Sequence, residues 1–351
     1  MAINGNFDER GYLQANPDVA AAVRSGNFSS GLEHFQKYGQ AEGRISATRD
    51  PDKFFAKFKE KLYHAFHNSR SMVSKIPERI QSASREEKIL SSIDKKLSGL
   101  EIGPSHRPVA PKRDGYKVKI LDHLDAVGLR KKYHSHGVEI AAIEDVDYVW
   151  SGEPLSKLVG DQCFDWIIAS HVIEHTPDLV GFLSECERIL SDTGVLSLAV
   201  PDKRYCFDHF REVTSLARVI DAHFLKTTNH TPGTAADYYL NVTKKGGIIA
   251  WAPGQRGEYE FVHGLQDALS SMQKINSGDY IDLHAWCFTP ASFRLLIEDL
   301  FALGLTGLRE QKFFDTLGGE FFITLGKDAA GPNISRMEML HQKQTELTHQ
   351  S

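Results

Sequence analysis

The sequence predicts an α/β protein: a mostly parallel sheet with helices on both faces, closed by an antiparallel hairpin, with a helical insertion and a helical N-terminal extension. Three observations predict it. From Cys163 to Pro201, the apolar run Trp166-Ile167-Ile168-Ala169 is followed by Leu179, Phe182, Leu183, Cys186, Ile189 and Leu190 at helical spacing, then by the apolar run Val195–Val200. Strand, helix and strand within about forty residues make the crossover unit of a parallel sheet. Upstream, Lys96–Gly103 and Lys117–Leu121 read as two further strands ending at Gly103 and Asp122. Near the C-terminus, Leu305–Phe314 and Glu320–Leu325 flank Asp315-Thr316-Leu317-Gly318-Gly319, the pattern of a hairpin.

Composition bounds the rest. The 351 residues hold one large domain and a smaller appendage, and 41% hydrophobic with 25% charged content is ordinary for a globular chain. A net charge of −5 argues against a general nucleic-acid surface. Cys163, Cys186, Cys206 and Cys287 form no CxxC pair, which points to reduced, structural thiols. No leader pattern and no apolar run of spanning length is evident, so a soluble, cytoplasmic protein is expected. The expected division is a small helical module at 1–48, an amphipathic helical linker at 49–96, the main domain at 97–327 with an insertion at about 210–285, and a frayed polar tail at 328–351.

In the first module, Asn16-Pro17-Asp18 starts a helix, Ser25-Gly26-Asn27 ends it, and Leu32, Phe35 and Tyr38 mark a second amphipathic patch. The pattern FDERGYLQANPDV…HFQKYGQAEGR resembles short helical units of bacterial surface and glycan-associated proteins. The resemblance implies a docking or oligomerisation helix pair, or direct glycan contact. Phe54, Phe55, Phe58, Leu62 and Phe66 then share one helix face with lysines between them. Such a face packs on its own domain or lies on a membrane surface. Residues 1–96 are thus where peripheral membrane contact, protein contact or homo-oligomerisation is expected. Pro77 breaks the segment, and a second helix is expected over Arg85 to Lys96.

FDWIIASHVIEHTPDLVGFLSECERILSDTGVLSLAVPDKRY resembles the second half of a class I S-adenosylmethionine (SAM) dependent methyltransferase. That resemblance implies a Rossmann-like class I methyltransferase sheet, SAM as cofactor, and methyl transfer. It implies that Gly103 lets the backbone approach SAM while Glu101 sits beneath the loop. The segment departs from Gly-x-Gly, reading Gly103-Pro104-Ser105, and prolines through Pro111 replace the expected first helix by a loop. Asp122, at the end of the second strand, is placed to accept from both ribose hydroxyls. It could equally be a helix N-cap, since Asp125 and the helix Ala126–Tyr133 follow. Ser151, after a third strand at Val146–Trp150, stands where related enzymes often carry an aspartate for the adenine amino group. Trp150 would stack on the adenine or belong to the core. Ser170 and His171 end the fourth strand at the same edge.

Methyl transfer from a sulfonium is an in-line displacement, and a hydroxyl nucleophile must lose its proton. His175 is the first candidate base, with closure of its loop as the alternative role; His284 is the second and His263 follows. Asp202, at the mouth of the fifth strand, would face the acceptor. Asp202, Asp208 and His209 could form a hard-cation site, although no metal is expected. Before these, Pro177 fits the first turn of the crossover helix, Asp178 complements its positive end, and Asp192-Thr193-Gly194 stops it. Helices at Thr214–Leu225, Ala235–Leu240 and Tyr259–Lys274 would form a lid over the acceptor. Thr289 and Pro290 open a last helix that Gly304 ends. The expected function is transfer of a methyl group to a hydroxyl, with a sugar or surface glycan as acceptor. The alternative is an inactive SAM-fold scaffold in a glycan-assembly complex.

Overall fold

A computed structural model describes residues 7, 9, 12–13, 16–39, 83–135 and 137–348. The chain divides into two compact units, residues 1–68 and 69–351. In the first, α1 (Pro17–Arg24) starts after Asn16 and ends at Ser25, with Gly26 at φ +79°, as the sequence suggests. A short helix, α2 (Gly31–His34), is capped by the Ser30 hydroxyl and runs into a π turn at Phe35–Gly39. The Glu9 carboxylate accepts from the amides of Gly31 and Leu32. Buried Tyr12 hydrogen-bonds His34 Nδ1 at 3.0 Å and packs on Phe7 and Phe35. The amphipathic face from Phe54 to Phe66, and Pro77, lie outside the described residues.

The second unit is built on a seven-stranded sheet of order β3-β2-β1-β4-β5-β9-β8. Its strands are β1 (Gly99–Ile102), β2 (Val118–Asp122), β3 (Tyr148–Val149), β4 (Phe164–Ser170), β5 (Leu190–Pro201), β8 (Arg309–Leu317) and β9 (Glu320–Gly326). Neighbours from β3 to β5 are parallel, and β9 runs antiparallel to both β5 and β8. Alternation along each strand feeds two cores. Leu100, Ile102, Ile167 and Ala169 point to one face, while Ile120, Trp166, Ile168 and Ala199 point to the other. Gly99 is required by close approach, because a Cβ there would run into the Trp166 indole.

The connection from β1 to β2 carries no α-helix, only a 3₁₀ turn at Lys112–Asp114, as its prolines predict. Val109 and Ala110 of that loop cover the second face together with Ile89. Ile89 belongs to α3 (Arg85–Ile89), opened by a capping box between Ser84 and Glu87. This helix is shorter than expected: after a 3₁₀ turn (Leu90–Ser92) the chain extends, and the Asp94 carbonyl accepts from the Trp166 indole N–H. Helices α4 (Ala126–Tyr133) and α5 (Leu155–Val159) flank β3 in sequence, and α6 (Leu179–Ile189) joins β4 to β5.

Several boundaries differ from expectation for local reasons. Asp178 is the N-cap of α6 and accepts from the Gly181 amide, so Pro177 stands just outside the first turn. Asp192-Thr193-Gly194 does not stop a helix; it lies inside β5, which already pairs at Leu190 with Phe164 before a register shift. The hairpin turn shrinks to Gly318-Gly319, since Leu317 pairs with Glu320. In the insertion, α7 (Leu216–Phe224) and α8 (Pro232–Asn241) are helical. Tyr259–Phe261 is instead a strand, β7, paired with β6 (Thr243–Lys245), and α9 (Leu265–Asn276) starts only after it. Pro290 opens α10 (Pro290–Ala302) as expected. The tail, expected to fray, forms α11 (Arg336–Thr348) against α10. Met339 is buried, Arg336 pairs with Asp299 at 2.7 Å, and Glu346 accepts from the Ala291 amide. Among the described residues, no helix is long and apolar enough to cross a membrane.

Candidate active site

The carboxyl ends of β1, β2 and β4 lie side by side, because Ile102 is in register with both Leu121 and Ala169. Gly103, Asp122 and Ser170 therefore share one edge, the position at which open α/β sheets bind ligands. Two of the three non-glycine residues with positive φ among the described residues, Ser105 (+52°) and His171 (+53°), stand in the loops leaving this edge. Backbone strain of this kind clusters at functional sites.

Glu101 is buried beneath the first loop and its carboxylate accepts from the amides of Val109 (2.6 Å) and Ala110 (3.1 Å). Burial pushes its carboxyl up to about 7, even though the two amides favour the ionised form. Its bonds hold the proline-rich loop in place. Gly103 turns at φ +67°, and a Cβ there would come 3.3 Å from Val172. Asp122 is buried: one oxygen accepts from the Ser105 amide at 2.9 Å, and the other takes the amide (2.8 Å) and ring Nδ1 (2.6 Å) of His123. Asp125, not Asp122, caps α4. A carboxylate has about four acceptor sites; three are used here, and one remains on the oxygen that faces the Ser105 loop. A tight glycine turn and a spare carboxylate acceptor thus stand together at the strand edge.

Trp150 packs, partly buried, against the main core and donates to the Glu153 carbonyl. Ser151 is exposed, and its amide donates to the Glu153 carboxylate. The Ser170 hydroxyl accepts from Arg85 at 2.6 Å, and Arg85 also pairs with Glu320, which binds His171 Nε2 at 2.8 Å. Burial alone would lower the His171 pKa, but Glu320 and Glu174 raise it.

The second group of residues is brought together by the insertion. After α9 the chain returns to the loop that follows β4: the Ala285 amide donates to the Glu174 carbonyl at 2.7 Å, and the Trp286 indole donates to the Thr176 carbonyl at 2.6 Å. This return sets the His284 ring perpendicular to the His175 ring, with centroids 4.6 Å apart. The two histidines singled out from sequence thus share one site. Each has a carboxylate at Nδ1. His284 meets Asp208 at 2.5 Å; His175 meets Asp282 at 2.8 Å, at an angle short of a straight hydrogen bond. The Nε2 atoms of both approach Glu174, which is buried. Burial would lower the His175 pKa, but Asp282 and Glu174 outweigh it and raise it. Asp208 also accepts from buried Arg211 at 2.8 Å, and Arg211 continues to Asp237. Burial opposes ionisation of Asp208, yet the charges of His284 and Arg211 hold its carboxyl down at about 2.

That depressed pKa makes a stability prediction. A carboxylate whose folded pKa lies below its ordinary value of 3.8 stabilises the fold above that value, and the contribution is lost as pH falls toward 2. Acidification from pH 4 to pH 2 is expected to remove about 2 kcal/mol through this group. Chemical denaturation of Asp208→Asn across that window should show a correspondingly shallower loss. An unchanged slope would mean that Asp208 is not held ionised.

The other expected residues do not join this group. Asp202 is buried and saturated: it accepts from Arg204 at both oxygens and from Thr316 at 2.6 Å, which makes it a structural ion pair. His209 Nδ1 donates to the Arg204 carbonyl and its ring stacks on Tyr259, so Asp202, Asp208 and His209 do not converge on a cation. His263 packs on Tyr239. Sequence reasoning missed Asp282 altogether; its signal was the Asp-x-His spacing to His284. The pairing of Asp208 with His284 spans 76 residues and had no local signal.

The sheet, with its single antiparallel strand β9 between β5 and β8, has the Rossmann-like arrangement expected of a class I SAM-dependent methyltransferase fold. Residues 131–198 match the methyltransferase domain family. That family implies SAM as cofactor, and the methyltransferase resemblance of the Phe164–Tyr205 segment and the α/β fold expected from sequence are borne out. Among solved structures, the chain is similar to a SAM-dependent methyltransferase from Aquifex aeolicus (14% identity, 79% of this chain and 98% of that one, TM-score 0.34). It is similar also to the CcbJ methyltransferase from Streptomyces caelestis (10% identity, 69% and 88%, TM-score 0.36). Against a protein assigned as a sarcosine dimethylglycine methyltransferase from Galdieria sulphuraria, it covers 63% of that chain and 45% of its own, at 17% identity and TM-score 0.25. Comparison with curated proteins finds no match.

Proposed function

We propose that the protein transfers the methyl group of SAM to an acceptor hydroxyl, with a sugar or glycan as acceptor. One observation carries the choice of a hydroxyl: two imidazoles, each tethered at Nδ1 by a carboxylate, offer Nε2 to the same small volume beside Glu174. A hydroxyl held there gives up its proton within the cluster. Its oxygen then forms the bond to the methyl carbon while the carbon–sulfur bond breaks and the thioether leaves. Asp122 and Gly103 support cofactor binding, with Glu101 acting through the loop that it holds. His175 is open enough for an acceptor to reach, since its side chain and that of Asp282 are 28% and 70% exposed. The sugar acceptor draws its support from the resemblance of residues 7–44 to units of glycan-associated proteins.

Calorimetric titration of the full chain with SAM and with its demethylated product tests the cofactor half. Binding of both is expected, and a screen of sugar acceptors for SAM-dependent mass gain then tests the rest. Folded protein that binds neither ligand would support the scaffold alternative instead.

A further inference from the structure

We propose that Glu174, His175 and His284 bind a divalent transition-metal ion of the zinc class. The three residues each offer a ligand atom, and these atoms lie within 4.8 Å of one another. Glu174 is 1% exposed, and neither of its carboxylate oxygens has a hydrogen-bond partner. Three histidine nitrogens stand around Glu174 Oε1, His171 Nδ1 at 3.6 Å, His284 Nε2 at 3.9 Å and His175 Nε2 at 4.0 Å, all beyond hydrogen-bonding distance. A buried carboxylate without a donor is costly, and native structures satisfy such groups with a partner or an ion.

The tautomers sharpen the point. With Nδ1–H turned to Asp208, the His284 imidazole presents a lone pair at Nε2. His175 Nδ1 stands 2.8 Å from Asp282, and when its ring is neutral with Nδ1–H on that side, two lone pairs and a carboxylate face one another, a set that a cation completes. The outer carboxylates have the form of the carboxylate–histidine–metal arrangement, which fixes the tautomer and raises ligand basicity. Ligands at about 2.0–2.1 Å around a tetrahedral ion stand about 3.4 Å apart, so closure asks for about half an ångström on each Glu174–imidazole pair and up to about 1.4 Å between the two imidazole nitrogens. Two nitrogens and one oxygen favour zinc, cobalt or nickel over magnesium or calcium, and three protein ligands leave a position open.

The role of the ion rests on the proposed methyl transfer; its binding does not. With the ion bound, the two Nε2 lone pairs hold it in place of taking the proton: an acceptor hydroxyl in the open position would lose its proton to solvent at a lower pH, and its oxygen would form the bond to the methyl carbon as the carbon–sulfur bond breaks and the thioether leaves.

The test uses the full chain, stripped with chelator and titrated with Zn²⁺ by calorimetry and with Co²⁺ by visible absorption. One equivalent is expected, with the intense ligand-field band of a low-symmetry site. Glu174→Gln and His284→Ala should each weaken binding by more than about 100-fold. Asp282→Asn, at an exposed position that spares the fold, should weaken it by about 10–100-fold. His341→Ala, exposed on α11, should leave it unchanged. No binding at one equivalent, or Glu174→Gln binding as tightly as the parent, overturns the site. Titration of the same samples with SAM separates the two proposals: SAM binding without metal overturns the metal site alone, and metal binding without SAM supports it while overturning the cofactor cleft.

Discussion

His284→Ala is expected to lower turnover by about 10²–10⁴-fold while leaving the affinity for SAM within about twofold, the range for loss of a group that handles the transferred proton. The variant is a fair test because the damage stays local. Asp208 retains Arg211, so removal of the imidazole does not strand a buried charge. The cofactor edge at Gly103 and Asp122 belongs to other strands and keeps its own bonds. Single-turnover kinetics beside calorimetry would report both quantities. Undiminished turnover would remove this cluster from the chemistry, and equal loss of SAM binding would show that the ring supports the cofactor rather than the acceptor.

Asp122→Ala is expected to weaken SAM binding by about 10–100-fold. A hydrogen bond to a charged group contributes about 1.5–3 kcal/mol, and each 1.4 kcal/mol is tenfold in affinity. The substitution removes the acceptor proposed for the ribose and also frees the Ser105 amide, so the first loop loses its tether. Asp122→Asn separates the two effects, because its oxygen can still serve one donor while its amide group faces another. Affinity equal to the parent in Asp122→Ala would sink the proposed cleft. A fall in Asp122→Ala that Asn largely restores would mean that loop tethering, more than ribose recognition, is at stake.

The fold was legible wherever structure is local. Periodicity marked the strand–helix–strand from Phe164 to Pro201, and the prolines after Gly103 correctly predicted a loop in place of a helix. Errors arose where tertiary pairing overrode local signals. Asp192-Thr193-Gly194 has the composition of a turn yet lies within β5 as an irregularity, because β4 pairs with Leu190 before it and with Val195 after it. Tyr259–Phe261 is a strand only because Thr243–Lys245 lies opposite. The polar tail is a helix because α10 offers Asp299 and the Ala291 amide to its charged groups. The site follows the same division. His175 sits in a local motif, and His284 stood out by its place before the next helix. The carboxylates beside them come from 76 and 107 residues away, and sequence spacing carries no trace of contacts at such separations.

The position of β9 bears on how the chain must be made. The last strand in sequence, Glu320–Gly326, is not at an edge but between β5 and β8. Until it emerges from the ribosome, β5 offers an open row of backbone donors and acceptors from Val195 to Pro201. The sheet therefore cannot close until β9 has been translated. A nascent chain or a truncation ending before Glu320 exposes a sticky strand edge, the kind of surface that chaperones bind and that pairs with the same edge of another unfinished copy.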